Sequence, residues 1–297
     1  MKRRTFIKSA LATGSILPLI PISLQAGTKT PEAVWVENGE PEQLLTAALQ
    51  EMGGMSSFVK TGDVVVIKPN IGWDRAPEYA ANTNPQLVGA LVKACYQAGA
   101  KTVKVFDRTC NNPRRCYRNS MIEEYASAAD AEVDQIRQNR FETVDLKRGK
   151  ILQQWEIYQD ILEADKVINV PIAKNHSLSR VTLGMKNLMG VMGGNRGSIH
   201  SDFDTKIVDI TSEILPNLTI IDGYRVLTGN GPVGGSLNDV SLKKTLIMSP
   251  CVVTADFLAL RLFGYRIEQV GHLQEAVRRG LNKYDLSNLN LRKVTLS

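Results

Sequence analysis

Two of the chain's three histidines, His176 and His200, and two Lys-Asn pairs, Lys174-Asn175 and Lys186-Asn187, fall within residues 174–200. A lysine offers charge to a carboxylate or phosphate, and imidazole is the side chain that exchanges a proton near neutral pH. Gly190, Gly193, Gly194 and Gly197 surround Asn195-Arg196, a flexible stretch whose backbone donors could cradle an anion. A lysine directly after a buried strand is costly unless it meets an anion or a carboxylate, so Lys68, Lys174 and His176 are expected to share one site. Lys174, His176 and His200 form the expected catalytic set. Lys68, Asn70, Asp107, Lys186, Asn187 and Arg196 form the expected cofactor-binding set. His176 and His200 are too far apart for a local helical metal motif, so only the fold can bring them together. The plain alternative for either histidine is a hydrogen bond to a backbone carbonyl.

A second chemistry is written in the thiols. Cys110-Asn-Asn-Pro-Arg-Arg-Cys116 follows Asp107 and contains Pro113, which reads as a loop. Arg114 and Arg115 beside the two thiols would favour thiolates, suited to metal ligation or a redox pair. A simple disulfide is the alternative in an oxidising compartment. Cys110, Cys116 and Cys251 are the expected metal ligands, with His176 or His200 as a fourth. Cys251 lies in a Ser-Pro-Cys turn before a helix. Cys95 sits on an apolar helix and reads as core. No Cys-x-x-Cys or ferredoxin-type run occurs, so an iron–sulfur cluster would need ligands gathered from distant segments, with another metal or none as the alternative. Gly229-Asn-Gly231-Pro-Val-Gly234 spells a dinucleotide-binding signature, but a strand and not a helix follows it, so it is read as a loop.

The elements that must carry these residues alternate. Asp63–Lys68 is a β-branched run ending in Pro69-Asn70, a buried parallel strand by composition. Asn84-Pro85 opens a helix that Gly99 closes. Thr102–Phe106 is a strand ending at Asp107, residues 117–129 a helix, and Phe141–Leu146 a strand. Lys166–Ile172 is a strand running into Lys174-Asn175-His176. Helical signals follow at 182–189 and 204–215, and a strand at Leu218–Ile221 stops at Asp222-Gly223. Leu242–Met248 is a strand, Val252–Leu262 an apolar helix, Glu275–Leu281 a surface helix and Leu289–Leu296 a last strand. This order predicts an α/β fold: a mostly parallel sheet flanked by helices, two-lobed in one version with a seam near residue 150. Polar residues cluster where strands stop, where such folds bind ligands.

Composition excludes other classes. Hydrophobic residues make up 43% of the 297 and charged residues 22%, which is globular rather than disordered. The net charge of +6 comes largely from the start: four of the 36 lysines and arginines, Lys2, Arg3, Arg4 and Lys8, precede the first acid, leaving 32 against 30. A nucleic-acid role loses its electrostatic argument. Residues 1–26 combine that charged region with an apolar stretch and a small residue at Ala26, and resemble a bacterial twin-arginine signal. Expected from it are folded export by the twin-arginine translocase, a periplasmic mature chain, no stable membrane span beyond the leader, and an electron-transfer partner there if the protein is redox-active. Residues 27–297 are then a single α/β domain.

Val66-Ile-Lys-Pro-Asn70, Asn84-Pro85, Ala98-Gly-Ala-Lys-Thr-Val before Asp107, Val170-Pro-Ile-Ala-Lys-Asn-His176, Met185-Lys-Asn-Leu-Met-Gly190, Ile221-Asp-Gly223 and Gly231-Pro232 recur as an ordered set. Together they resemble the family catalogued as "domain of unknown function 362", over about residues 60–265. Members are commonly described as iron–sulfur proteins, and some carry a fused ferredoxin-like segment. The family is distantly similar to the nickel-pincer lactate racemase, a two-lobed α/β enzyme whose cofactor is held by lysine and histidine. This chain lacks the ferredoxin segment, has Cys251 where the family's Ser-x-Asp pattern would put the aspartate, and adds the Cys110/Cys116 loop. The resemblance and the thiols together lead to an expected exported, metal- or cluster-binding redox protein. The alternatives are a racemase-like enzyme acting on a small carboxylate or phosphorylated substrate, or a periplasmic binding or assembly factor.

Overall fold

In the run Val64–Pro69, successive side chains enter opposite apolar layers: Val65 and Ile67 pack into one core and Val66 into the other. A strand apolar on both faces must lie inside a sheet covered on both sides. A computed structural model, which describes residues 30–297, shows that sheet. Its strands are β1 (Ala33–Glu37), β2 (Val64–Pro69), β3 (Thr102–Val105), β4 (Glu132–Val133), β7 (Lys166–Val170), β8 (Ile172–His176), β9 (Arg180–Thr182), β10 (Leu218–Leu227), β11 (Val240–Ser249) and β12 (Leu291–Thr295). The order across it is β12-β1-β11-β10-β7-β2-β3-β4, with β8 joining β10 and β9 joining β8. From β10 to β4 every neighbouring pair is parallel, while β11 is antiparallel to both its neighbours. The twin-arginine and leader expectations fall on residues outside those described.

Helices α1 (Pro41–Glu51), α2 (Pro85–Gln97), α3 (Pro113–Asn119) and α4 (Ile122–Ser127) cover one face. On the other lie α5 (Gln159–Leu162), α6 (Gly184–Asn187), α7 (Phe203–Glu213), α8 (Val252–Ala259) and α9 (Gly271–Arg278). Asn84 caps α2 by accepting from the backbone N–H of Gln86 at 2.9 Å, and Pro85 takes the first helical position. Each large apolar side chain that these faces bury contributes about 1.5–3 kcal/mol. Among the described residues no helix is long and apolar enough to cross a membrane.

Several expectations need correction. The helix read over 117–129 is two, α3 and α4, because Met121 adopts a positive φ between them. Phe141–Asp145 is β5, which pairs only with β6 (Gln154–Tyr158) and stands outside the main sheet. The strand read over 166–172 breaks at Pro171, whose missing N–H ends pairing with β2, and β8 shifts to pair with β10. Lys174 and His176 therefore lie within a strand, not after one. The strand read as ending at Asp222-Gly223 continues through a bulge to Leu227.

Candidate functional site

β2, β3 and β7 run parallel, so their carboxyl ends meet at one edge. There a cleft of about 570 Å³ opens. It is lined by Lys68, Asn70, Asp107, Cys110, Lys174, His176, Lys186, Asn187, Arg196 and His200, among others. The expected catalytic and cofactor-binding residues thus come together, while Cys116 and Cys251 are not among the lining groups.

The floor is a polar ladder. Lys68, fully buried, forms an ion pair with Asp107 at 2.7 Å and donates to Asn187 Oδ1 at 3.1 Å. Burial lowers the Lys68 pKa, and the Asp107 charge works against that shift. Asp107 Oδ2 also accepts from the backbone N–H of Ile71 at 2.6 Å. Asn187 Oδ1 accepts from Asn70 Nδ2 at 3.0 Å, and Asn187 Nδ2 donates to Asn169 Oδ1 at 2.9 Å and to the Lys68 carbonyl at 3.1 Å. Asn187 is therefore saturated by protein and holds the ladder in register. Gly190 closes over it: a Cβ there would sit 1.7 Å from Asp107 Oδ1.

Above the floor, cations lack acids. Lys174 Nζ donates to Asn70 Oδ1 at 3.1 Å and to the Ala81 carbonyl at 2.5 Å. Lys186 Nζ has a soft setting, 3.5 Å from Met189 Sδ and 4.8 Å from the centre of the Phe203 ring. Among the described residues no carboxylate forms an ion pair with Lys174, Lys186, Arg108 or Arg196. Burial, helped by Lys186 and Lys68, pushes the Lys174 ammonium down to about 7. Burial and the Arg196 charge push Lys186 down to about 8. Arg196 spends its donors on the carbonyls of Arg108 at 2.8 Å and Thr109 at 3.0 Å, so it offers charge and braces the wall.

The two cleft histidines differ. His176 Nδ1 accepts from the backbone N–H groups of Leu178 at 3.1 Å and Ser179 at 3.4 Å. Burial, then the charges of Lys186 and Lys174, push its pKa down to about 3. His200 is exposed, with Nδ1 3.1 Å from the Gly197 carbonyl. Accepted by that carbonyl, the Nδ1 proton leaves a lone pair on Nε2 in the neutral ring.

The glycine stretch is less open than its sequence suggests. Gly193 N–H donates to the Glu156 carbonyl at 2.7 Å and Gly194 N–H to Glu156 Oε2 at 3.0 Å. The β5–β6 hairpin braces this loop, and those two donors are spent.

The thiols do not gather in the cleft, although the Cys110 N–H at 2.8 Å and Cys116 Sγ at 3.9 Å meet at the Gly72 carbonyl. Pro113 starts α3 and Asn112 caps it, so the expected loop becomes a helix that turns Cys116 into the core. Burial raises the Cys116 pKa, opposite to the expected thiolate. The Arg115 guanidinium pairs instead with Asp74 at 2.5 Å. Cys251 lies across the sheet, its Sγ accepting from Lys283 N–H at 3.3 Å. Cys110 alone reaches the cleft, Cys95 is core, and all four thiols are free. An iron–sulfur cluster needs about four converging ligands, mostly thiolates, and this donor set does not fit one. Among the described residues no three His, Cys, Asp or Glu side chains are grouped to hold a metal ion.

Sequence reasoning missed three contributors. Asn169 is fully buried in mid-strand and donates to the Gly184 carbonyl at 2.9 Å. Asp256 accepts from the Gly184 and Met185 N–H groups at 2.6 and 2.9 Å, anchoring the helix that carries Lys186. A lone acid within the apolar run Val-Val-Thr-Ala-Asp-Phe-Leu was a readable signal. Thr182 lines the cleft from β9 and carried no signal at all.

A thylakoid-associated protein of Synechocystis sp. is 28% identical over 246 residues, covering 80% of this chain and 74% of that one. The solved lactate racemase apoprotein of Thermoanaerobacterium thermosaccharolyticum aligns with a TM-score of 0.44 at 12% identity. That alignment covers 73% of this chain and 54% of the racemase, so the chain spans about half its length. The profile of the family described as "Domain of unknown function (DUF362)" matches residues 65–261, which include every cleft-lining residue named above. The chain belongs to that family.

Proposed function

We propose that the cleft binds a small carboxylate or phosphorylated substrate, with Lys174 and Lys186 neutralising its charge and His200 moving a proton on it. One observation carries the reading: two buried lysines face the same cleft without an acid partner. A buried ammonium is costly unless an anion meets it, and an incoming carboxylate or phosphate would supply what the protein withholds. His200 suits general acid–base work because its Nε2 lone pair is left unused by the Gly197 contact. The redox reading has less support, since only one thiol reaches the cleft. We further place the mature chain outside the cytoplasm. Arg3-Arg4 with its apolar stretch supports export, and a relative described as thylakoid-associated fits a membrane-linked setting.

The test is thermal stabilisation of the chain by inorganic phosphate and acetate against glycerol as a neutral control, since a ligand bound only by the native state raises the melting temperature. The anions should raise it and glycerol should not. The Lys174→Met/Lys186→Met protein should lose the effect. Equal shifts in both proteins would reject the cleft as the binding site.

A further inference from the structure

Lys174 and Thr182 are direct partners across the antiparallel β8–β9 pair, and His176 stands opposite Arg180. Side chains two apart on one strand share a face, so Lys174, His176 and Thr182 project together. All three line the cleft. The Thr182 hydroxyl is buried, on a side chain 3% exposed, and makes no hydrogen bond among the described residues. A buried hydroxyl left without a partner costs stability, and native proteins keep few of them. His176 is constrained as well. With Nδ1 accepting two backbone N–H groups, the only proton of the neutral ring sits on Nε2. The same two donors oppose protonation at Nδ1, because the imidazolium would set N–H against N–H.

We propose that His176 and Thr182 form a neutral donor pair that binds one oxygen of the anionic ligand, with His176 acting as an uncharged N–H donor instead of a proton carrier. This rests on the anion-binding reading and assigns its recognition geometry: Lys174 and Lys186 supply charge, while Nε2–H and Oγ–H point the oxygen. Preorganised donors in a site shielded from water stabilise an oxyanion without reorganisation. The charges of Lys186 on α6 and Lys174 on β8, and that of His200 on the turn 196–200 whenever it holds a second proton, all disfavour a positive charge on His176. Of the chain's three histidines His272 is buried and does not line the cleft, so proton transfer falls to His200.

The test has two arms on the full chain. Nitrogen-15 NMR of the imidazoles should show His176 as the neutral Nε2–H tautomer from neutral pH down to about pH 5, where an ordinary histidine is mostly protonated. An Nδ1–H tautomer, or a midpoint near the ordinary value of about 6.5, would overturn the proposal. In the second arm, inorganic phosphate is titrated at fixed pH. Thr182→Val should weaken binding about tenfold, as loss of one hydrogen bond to a charged group does, while Thr182→Ser stays within about threefold. His176→Gln, which keeps an N–H donor and cannot titrate, should bind more tightly than His176→Ala. If Thr182→Val binds like the unmutated protein while Lys186→Met does not, the donor pair is wrong and the lysine reading stands. If phosphate does not bind the unmutated protein, both fall.

Discussion

Lys68 and Asp107 meet at 2.7 Å beneath the cleft, with 0% and 3% of their side chains exposed. The pair ties the end of β2 to the end of β3, and Asp107 also fixes the backbone at Ile71. The charge of Lys68 is thereby spent within the protein, so it supports the site while Lys174 and Lys186 remain for a ligand. Removing one member of a buried pair strands the other and costs about 3–5 kcal/mol. Asp107→Ala should lose stability of that order in urea unfolding. A loss below about 1 kcal/mol, the scale of an exposed pair, would contradict the assignment.

Gly190 is the lid of the same pair. An added methyl group would overlap Asp107 Oδ1 and stand 2.4 Å from Lys68 Nζ. Gly190→Ala should therefore destabilise the protein by about 1–3 kcal/mol, the usual cost of overpacking. Gly235→Ala, with open space around its Cβ position, serves as the control. Equal melting temperatures for the two variants would show that the loop yields freely.

Thiol reactivity reports the fate of the cysteines. Cys110 is exposed, and Cys95, Cys116 and Cys251 are buried. Native protein should release one equivalent of chromophore quickly with an aromatic disulfide reagent, and Cys110→Ser should remove that phase. The other three should react only on unfolding. Fast reaction of Cys116 in the native state would place it outside the core.

The depressed lysines predict a pH profile for the ligand-free protein. With native values of about 7 for Lys174 and about 8 for Lys186, the unfolded chain holds more protons from there up to the ordinary lysine value of about 10.4. Stability through these groups therefore rises with pH across that window and is flat below it. Lys174→Met should flatten the lower part of the rise. A fall in stability over this range that the lysine variants abolish would reverse the sign and contradict the assignment.

Much of the site was legible because carboxyl ends of parallel strands gather polar residues. Lys68, Asn70 and Asp107 stand at the ends of β2 and β3 as the strand runs predict, while Lys174 reaches the cleft from inside β8. What escaped depends on tertiary contact. Pro113 reads as a loop former until Asn112 caps the helix behind it. The Gly193 and Gly194 donors look free until the β5–β6 hairpin brings Glu156 to them. Thr182 gains its meaning from a register with Lys174 that no local pattern encodes, and Cys251 follows β11 near the amino end of β10, where Ser249 pairs with Thr219, while Cys110 lies at the cleft.

The central claim is that Lys174 and Lys186 form a protonated anion site. Calorimetric titration with sulfate, whose charge is constant, between about pH 6 and about pH 9 tests it most directly, since the ordinary lysine pKa lies above that range and only depressed lysines titrate within it. The account predicts that affinity falls at least about tenfold toward the alkaline end, with protons taken up on binding near pH 8, because the anion draws charge back onto both lysines. Affinity that is flat across this range, with no proton uptake, or binding that persists in the Lys174→Met/Lys186→Met protein, would contradict it.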